Sequence, residues 1–104
     1  MVLNWTGGLA SDVVSIIGGS AVTTGTGASR VTNGAEFICY TTAGKLTFTV
    51  PKSVLTQLPA TKTGYLSVSS GNSTTFTAPL KAGGSIDYGY FGSFLGIGGA
   101  PAYQ

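Results

Sequence analysis

The chain of 104 residues contains no histidine, and this absence removes several common kinds of active site. Serine and cysteine nucleophiles usually depend on a histidine base, and histidine is the commonest metal ligand in proteins. The single cysteine, Cys39, has no partner for a disulfide bond within the chain. We therefore expect neither a histidine-dependent catalytic site nor a domain held together by disulfides.

Charged side chains are scarce, at 8% of residues against about a quarter in ordinary soluble domains. The five basic residues are scattered, whereas nucleic-acid-binding proteins concentrate them on one face. Of the three acidic residues, Asp12 and Asp87 flank turn sequences, and neither has the spacing of a calcium-binding loop. We expect no enzyme activity, no cofactor or metal, and no nucleic-acid partner.

Long apolar segments are absent too. No run of residues is long enough to cross a bilayer as a helix, and no segment keeps a 3.6-residue apolar period over three turns. The first five residues do not read as a signal peptide, because they have neither a basic start nor a sufficient apolar core. The chain length fits one domain, which we assign to residues 1–104.

What remains is a chain rich in threonine, serine and glycine with strand-like alternation. The clearest case lies in residues 46–50, where Leu46, Phe48 and Val50 alternate with polar residues. Pro51 ends this strand because it has no N–H to donate, and Leu58 follows in a short apolar turn. This pattern predicts a strand and a corner that closes one end of a β-sheet core.

Similar short strands recur along the chain, separated by turn signals at roughly 8–12-residue spacing. We place turns at Asn33-Gly34 and at Gly71-Asn72, and leave open whether residues 18–34 form a strand or a loop. The prediction is an all-β fold, an immunoglobulin-like antiparallel β-sandwich of about seven to eight short strands.

Alternation also predicts which side chains face the core. Phe37 and Cys39 share one face of a strand, so we expect both to be buried and Cys39 to be unreactive. In the two strands that follow the corner, Leu66, Val68 and Phe76 are the residues expected to point inward.

Several of these segments, taken together, resemble a known family. They are residues 4–8 (NWTGG), 35–39 (AEFIC), 48–51 (FTVP) with 54–55 (VL) and 58–60 (LPA), 64–68 (GYLSV), 76–78 (FTA) and 86–89 (IDYG). The chain resembles the C-terminal immunoglobulin-like module of large secreted proteins from soil bacteria of the acidobacterial kind. The resemblance implies an extracellular or cell-surface location, an accessory or adhesive role, and no catalytic residues. Residues 92–99, richer in glycine than the family pattern, depart from it.

The candidate interaction surface is the uncharged stretch of residues 90–100 together with the tyrosine that precedes it. Lysine, acidic residues and bulges commonly protect edge strands, and charge protection is missing here. The alternative is that the apolar residues of this stretch fill the core of the last strand. The candidate site residues are Tyr88, Tyr90, Phe91, Phe94, Leu95 and Ile97.

Three function classes remain open. The first is a non-catalytic structural or adhesive module, whose partners are other domains of a parent protein. The second is a self-assembling subunit, as in a filament, that pairs with copies of itself through sheet edges. The third is a carbohydrate-binding module in which exposed tyrosines such as Tyr65, Tyr88 and Tyr90 stack on a polysaccharide.

Overall fold

The computed structural model describes residues 1–80 and 82–104, without the side chains of residues 86, 87, 88 and 90. The described part is mostly β-strand, arranged in two antiparallel sheets, and the predicted all-β class is confirmed. The elements are β1 (Val2–Asn4), β2 (Val13–Thr24), β3 (Val31–Thr42), β4 (Thr47–Thr49), α1 (Lys52–Leu55), β5 (Tyr65–Pro79) and β6 (Ser85–Gly99).

The larger sheet has four strands in the order β3-β2-β5-β6, and the smaller sheet pairs β1 with β4. The smaller sheet packs over the core formed on one face of the larger one. Leu3 of β1 and Phe48 of β4 are partly buried against that core, as is Trp5 just after β1. The buried core residues are Val14, Ile16, Phe37, Ala43, Val50, Leu58 and Tyr103.

The register of the larger sheet places one residue from each strand in a continuous row. Ile16 of β2 lies opposite Cys39 of β3 on one side and Val68 of β5 on the other. Val68 in turn lies opposite Ile97 of β6. Because side chains directly opposite one another in a sheet share a face, all four residues point to the core side.

The β2–β3 hairpin and the β5–β6 hairpin both extend beyond the region in which β2 pairs with β5. Strands β2 and β5 pair only over residues 13–19 and 65–71. Beyond this region β2 continues with β3 alone and β5 with β6 alone, and the antiparallel register sends the two ribbons in opposite directions. The radius of gyration is consequently 19.2 Å, whereas a compact domain of this length measures about 13 Å.

The strand count differs from the prediction, with six strands in the described residues, four of them 12 to 15 residues long. Both predicted turns are wrong, because Asn33-Gly34 lies inside β3 and Gly71-Asn72 inside β5. The first hairpin instead turns where Gly25 and Gly27 adopt φ values of 79° and 57°, a left-handed conformation that glycine accepts without strain. Residues 18–34 are therefore mostly strand, with a short turn.

Glycines inside the strands, and Gly64 just before β5, make room for aromatic rings on neighbouring segments. A Cβ atom at any of five such glycines would lie under 3 Å from a ring atom. The pairs are Gly18 with Phe37, Gly19 with Tyr65, Gly64 with Tyr103, Gly71 with Phe94, and Gly89 with Phe76. Much of the glycine content therefore serves cross-strand packing, in addition to turns.

The predicted core faces are correct in part. Phe37 is 7% exposed, while Cys39 faces the core but is only partly buried. Phe76 is 48% exposed, because it lies on the ribbon beyond the reach of the smaller sheet. Leu46 is also exposed, because it ends a 3₁₀ turn with φ at 58° and does not continue the alternation of β4.

Candidate interaction site

The predicted site residues lie on β6, the edge strand of the larger sheet. Leu95 is 82% exposed and Ile97 is 77% exposed, and Phe91 and Phe94 are each about two-thirds exposed. The alternative that these residues fill the core of the last strand is wrong for this chain on its own. The side chains of Tyr88 and Tyr90 lie outside the described residues.

The register divides these residues between the two faces of the sheet. Phe91, Leu95 and Ile97 occupy the core-side face, on which Val68 of β5 is the neighbour of Ile97. Phe94 occupies the opposite face, where its ring lies over Gly71. The structure therefore brings three of the predicted residues together in one surface and separates Phe94 from them.

This part of the core-side face is open because the smaller sheet has only two strands. Beside β1 and above β6, a groove of about 640 Å³ remains. Residues 5–9 form one wall of the groove, and Val68, Ser70, Leu95 and Ile97 contribute to its floor. The indole nitrogen of Trp5 donates a hydrogen bond to the carbonyl oxygen of Ala43 at 2.9 Å, which holds this wall in place.

The groove also borders a free strand edge. Strand β1 bonds to its neighbour through alternate residues, with Val50 N donating to Met1 O and Trp5 N donating to Leu46 O. In an antiparallel pair, the backbone groups of the intervening residues point the other way. The N–H and C=O groups of Val2 and Asn4 therefore face away from β4, and no strand in the described ranges pairs with them.

Between residues 89 and 99, no strand in the part of the chain that the structure describes pairs with the outer edge of β6. From residue 88 to residue 104 the sequence contains no charged side chain. The single register irregularity between β5 and β6 falls near Phe76, away from residues 89–99. Neither charge nor a bulge therefore protects this regular edge against pairing with another strand.

The groove is poor in polar groups. Its charged residue is Asp12, whose carboxylate accepts hydrogen bonds from the backbone N–H of Leu9 at 2.9 Å and from the side-chain amide of Asn72 at 3.4 Å. The hydroxyl oxygen of Ser70 is buried without a hydrogen-bond partner. Such a lining suits apolar side chains, with few groups that could act on a substrate.

Elsewhere the titratable groups are dispersed. The described residues hold no group of three or more histidine, cysteine or acidic side chains that could bind a metal ion. On the face away from the core, the hydroxyl of Tyr65 donates a hydrogen bond to Glu36, and this bond raises the pKa of Tyr65. Burial raises the pKa of Tyr103, whose hydroxyl donates to the carbonyl oxygen of Tyr65 at 2.9 Å.

Comparisons with known proteins found no matching protein-family model, no matching curated protein and no matching solved structure. In the described residues no helix is long and apolar enough to cross a membrane.

Sequence reasoning found the apolar strand and missed the rest of the groove. The wall at residues 5–9 and the free edge of β1 follow from the position of the smaller sheet. Leu3 and Trp5 alternate with polar residues, a pattern that is typical of a half-buried strand. It carried no signal that one edge of this strand lacks a neighbour.

Proposed function

We propose that this chain is a non-catalytic structural or adhesive module of a larger secreted or surface protein, and that it works by binding another protein surface along β6. One observation carries the proposal. Leu95 and Ile97 are 82% and 77% exposed on the face of the sheet that elsewhere forms the core. Contiguous apolar surface of this kind marks interaction sites in soluble proteins.

The charge distribution supports protein binding over chemistry. Recognition of a charged or strongly polar ligand needs complementary side chains, and the groove offers the carboxylate of Asp12, which already accepts two hydrogen bonds. The cores of protein–protein interfaces are depleted in charge and enriched in aromatic and aliphatic side chains. The surface containing Phe91, Leu95 and Ile97 has that composition.

The carbohydrate alternative has less support. Sugar binding combines an exposed aromatic ring with polar groups that hydrogen-bond the hydroxyls. Tyr65 is 43% exposed, but its hydroxyl is engaged with Glu36 and it lies on the face opposite the groove.

The extracellular location and the immunoglobulin-like identity belong to the same proposal. They are supported by the two facing antiparallel sheets, by the low charge, and by the resemblance of residues 4–8, 35–39 and 64–68 to modules of secreted bacterial proteins. A chain without disulfides depends on burial and hydrogen bonds, and the smaller sheet and α1 supply the cover for the core.

The test uses beads that carry the chain at equal density. One set carries the natural sequence, a second carries Leu95→Lys with Ile97→Lys, and a third carries Gly96→Lys as a control on the opposite face of the same strand. Each set is mixed with beads carrying the chain, the neighbouring domains of its parent protein or insoluble polysaccharides. We expect the natural chain and the control to bind a protein-coated set, and the double variant to lose that binding.

Equal binding by the natural chain and the double variant, or binding to polysaccharide alone, contradicts the proposal. Circular dichroism of each variant confirms that it is folded. Folding should be retained, because Leu95 and Ile97 are largely exposed and a Cβ at Gly96 comes no closer than 3.4 Å to its neighbours.

A further inference from the structure

We propose that the surface along β6 binds a second copy of this chain, in a closed dimer in which β6 of each copy pairs with β1 of the other. This inference rests on the proposed function and names its partner. The two copies are related by a twofold axis that runs parallel to the strands, between the two β6 strands. Each larger sheet is thereby extended to six strands, in the order β3-β2-β5-β6 followed by β1 and β4 of the second copy.

The two layers of the fold differ in their number of strands. The larger sheet has four strands and the smaller has two, and the smaller lies over the core on the side of β2. The position beside β1 and above β6 is therefore unfilled. A strand that fits there needs a free edge toward β1 and apolar side chains toward the larger sheet.

Strand β6 is itself such a strand. Between residues 89 and 99, no described strand pairs with its outer edge, and Leu95 and Ile97 are exposed on its core-side face. Each copy therefore has an unfilled position beside β1, and β6 of the other copy has the edge and the apolar side chains that fit there. A twofold rotation fills this position in both copies at once. It places the larger sheet of each copy in the same layer as the smaller sheet of the other, with the core-side faces of the two β6 strands opposed.

The strand directions allow this pairing. Met1 lies beside Tyr103 at one end of the sheet, the end at which Gly64 packs against the same ring. Strand β6 runs toward this end, because its last residue, Gly99, is paired with Leu66. Strand β1 runs away from it, since residues 5–9 line the groove with Ser93. The two strands are antiparallel, and an axis along the strands preserves their directions in the dimer.

The apolar area available for the contact lies near the lower range of specific interfaces. At roughly 100–200 Å² for each large apolar side chain, Phe91, Leu95 and Ile97 offer a few hundred square ångströms per copy. The paired edges and the wall at residues 5–9 add to this area. The total approaches the lower range of specific interfaces, about 1,200 Å² for both partners together.

Electrostatics do not oppose the contact. The chain carries a formal net charge of +2, and β6 has no charged side chain from residue 88 to its end. Repulsion between copies is therefore weak at physiological ionic strength. Because the two-fold contact is isologous, it closes on itself and gives a dimer instead of the filament considered from the sequence.

The first experiment measures mass by sedimentation equilibrium over a series from micromolar to millimolar protein. We expect the mass to rise from 10.4 kDa toward twice that value. Leu95→Lys with Ile97→Lys should weaken association by at least about a hundredfold, because the dimer would bury unpaired charges. Gly96→Lys, on the outer face of the same strand, should associate like the natural chain.

The second experiment tests the geometry with engineered cysteines, in a chain where Cys39→Ala removes the natural thiol. Asn4 is exposed on the outer face of the smaller sheet, and Gly98 lies on the outer face of the larger one. In a single copy these two faces point in opposite directions. In the dimer, Asn4 of one copy lies beside Gly98 of the other, and there is space for a side chain at Gly98.

The double variant Asn4→Cys with Gly98→Cys should therefore give a covalent dimer under mild oxidation, and each single variant should not. A monomer at every concentration, or association that is unchanged in the double-lysine variant, overturns the dimer. If beads carrying a parent domain still bind the natural chain in that case, the proposed function stands and only the choice of partner fails. If they do not bind, both proposals fail.

Discussion

Two isoleucines in one cross-strand row of the larger sheet differ in burial, and the difference shows how the core is covered. Ile16 and Ile97 are the same residue type, on the same face of the same sheet, with Val68 between them. Ile16 is fully buried, whereas Ile97 is 77% exposed. The difference arises in the opposing layer, whose two strands cover one half of the face. Alternation therefore encodes the direction of a side chain, and the number of strands above it decides whether that side chain is buried.

The aromatic rings that lie over glycines show a related difference, between the two faces of the larger sheet. Phe37 lies over Gly18 and is 7% exposed, while Phe94 lies over Gly71 and remains 64% exposed. The local arrangement of ring and glycine is alike in both pairs. Phe37 lies on the core-side face and is closed in by a second layer, so its ring has no free space into which it can move, whereas Phe94 lies on the opposite face, away from that layer.

The largest expected effect comes from shortening the two isoleucines of the row. Ile16→Ala should lower the free energy of unfolding by about 2–5 kcal/mol, because it leaves a cavity in the covered core. Ile97→Ala should change it by less than about 0.5 kcal/mol, because the side chain is largely exposed within one copy. Denaturant titration at a dilution where the chain is monomeric measures both. Equal losses of unfolding free energy at the two positions would show that the covered and uncovered parts of the core-side face do not differ.

A smaller effect is expected from adding one methyl group at a strand glycine. Gly18→Ala should cost about 1–3 kcal/mol, because its Cβ would lie 2.5 Å from Cζ of the buried Phe37 ring and 2.8 Å from the Tyr103 hydroxyl. Gly98→Ala is the matched control, since its Cβ would meet only the carbonyl oxygen of Leu66, at 3.5 Å. Thermal or denaturant unfolding compares the two variants. A stable Gly18→Ala variant would contradict the role assigned to the strand glycines.

The smallest effect is a dependence of stability on pH in the alkaline range. Burial raises the pKa of Tyr103 above the ordinary value of 10.0. The folded chain therefore keeps a proton that the unfolded chain loses, so the unfolding free energy should be steady up to about pH 10 and should fall as the pH rises further. Tyr103→Phe should make this decline shallower. If denaturant titrations from pH 8 upward show the same decline in the natural chain and in Tyr103→Phe, Tyr103 is not the group that causes it.

The sequence predicted local features of the fold well. The alternation in residues 36–40 correctly placed Phe37 and Cys39 toward the core, and Leu66 and Val68 were also assigned to the correct face. The two predicted turns failed for a physical reason. Gly34 and Gly71 were interpreted by their conformational freedom, whereas each lies close to a residue of the neighbouring strand, Ala21 and Phe94 respectively.

The site was predictable in its composition but not in its shape. The absence of charge after residue 88 predicted a segment without charge protection, and in the described residues this segment lies on β6, the edge strand of the larger sheet. The separation of Phe94 from Leu95 and Ile97 follows from strand alternation once the register is known. The groove beside β1 depends on how many strands lie in the opposing layer, and this is a property of the whole chain that no short pattern contains.

The most direct test of the central claim is amide hydrogen exchange in β1 and β6 of the natural chain, measured at low and at high protein concentration. At low concentration, the amides of Val2 and Asn4 and those of β6 that point away from β5 should exchange nearly as fast as in an unfolded chain. At high concentration, both groups should become protected together, because each edge pairs with the other in a second copy. Protection that is already complete at low concentration would show that the face is covered within one chain. Rapid exchange at every concentration would show that no second copy covers it.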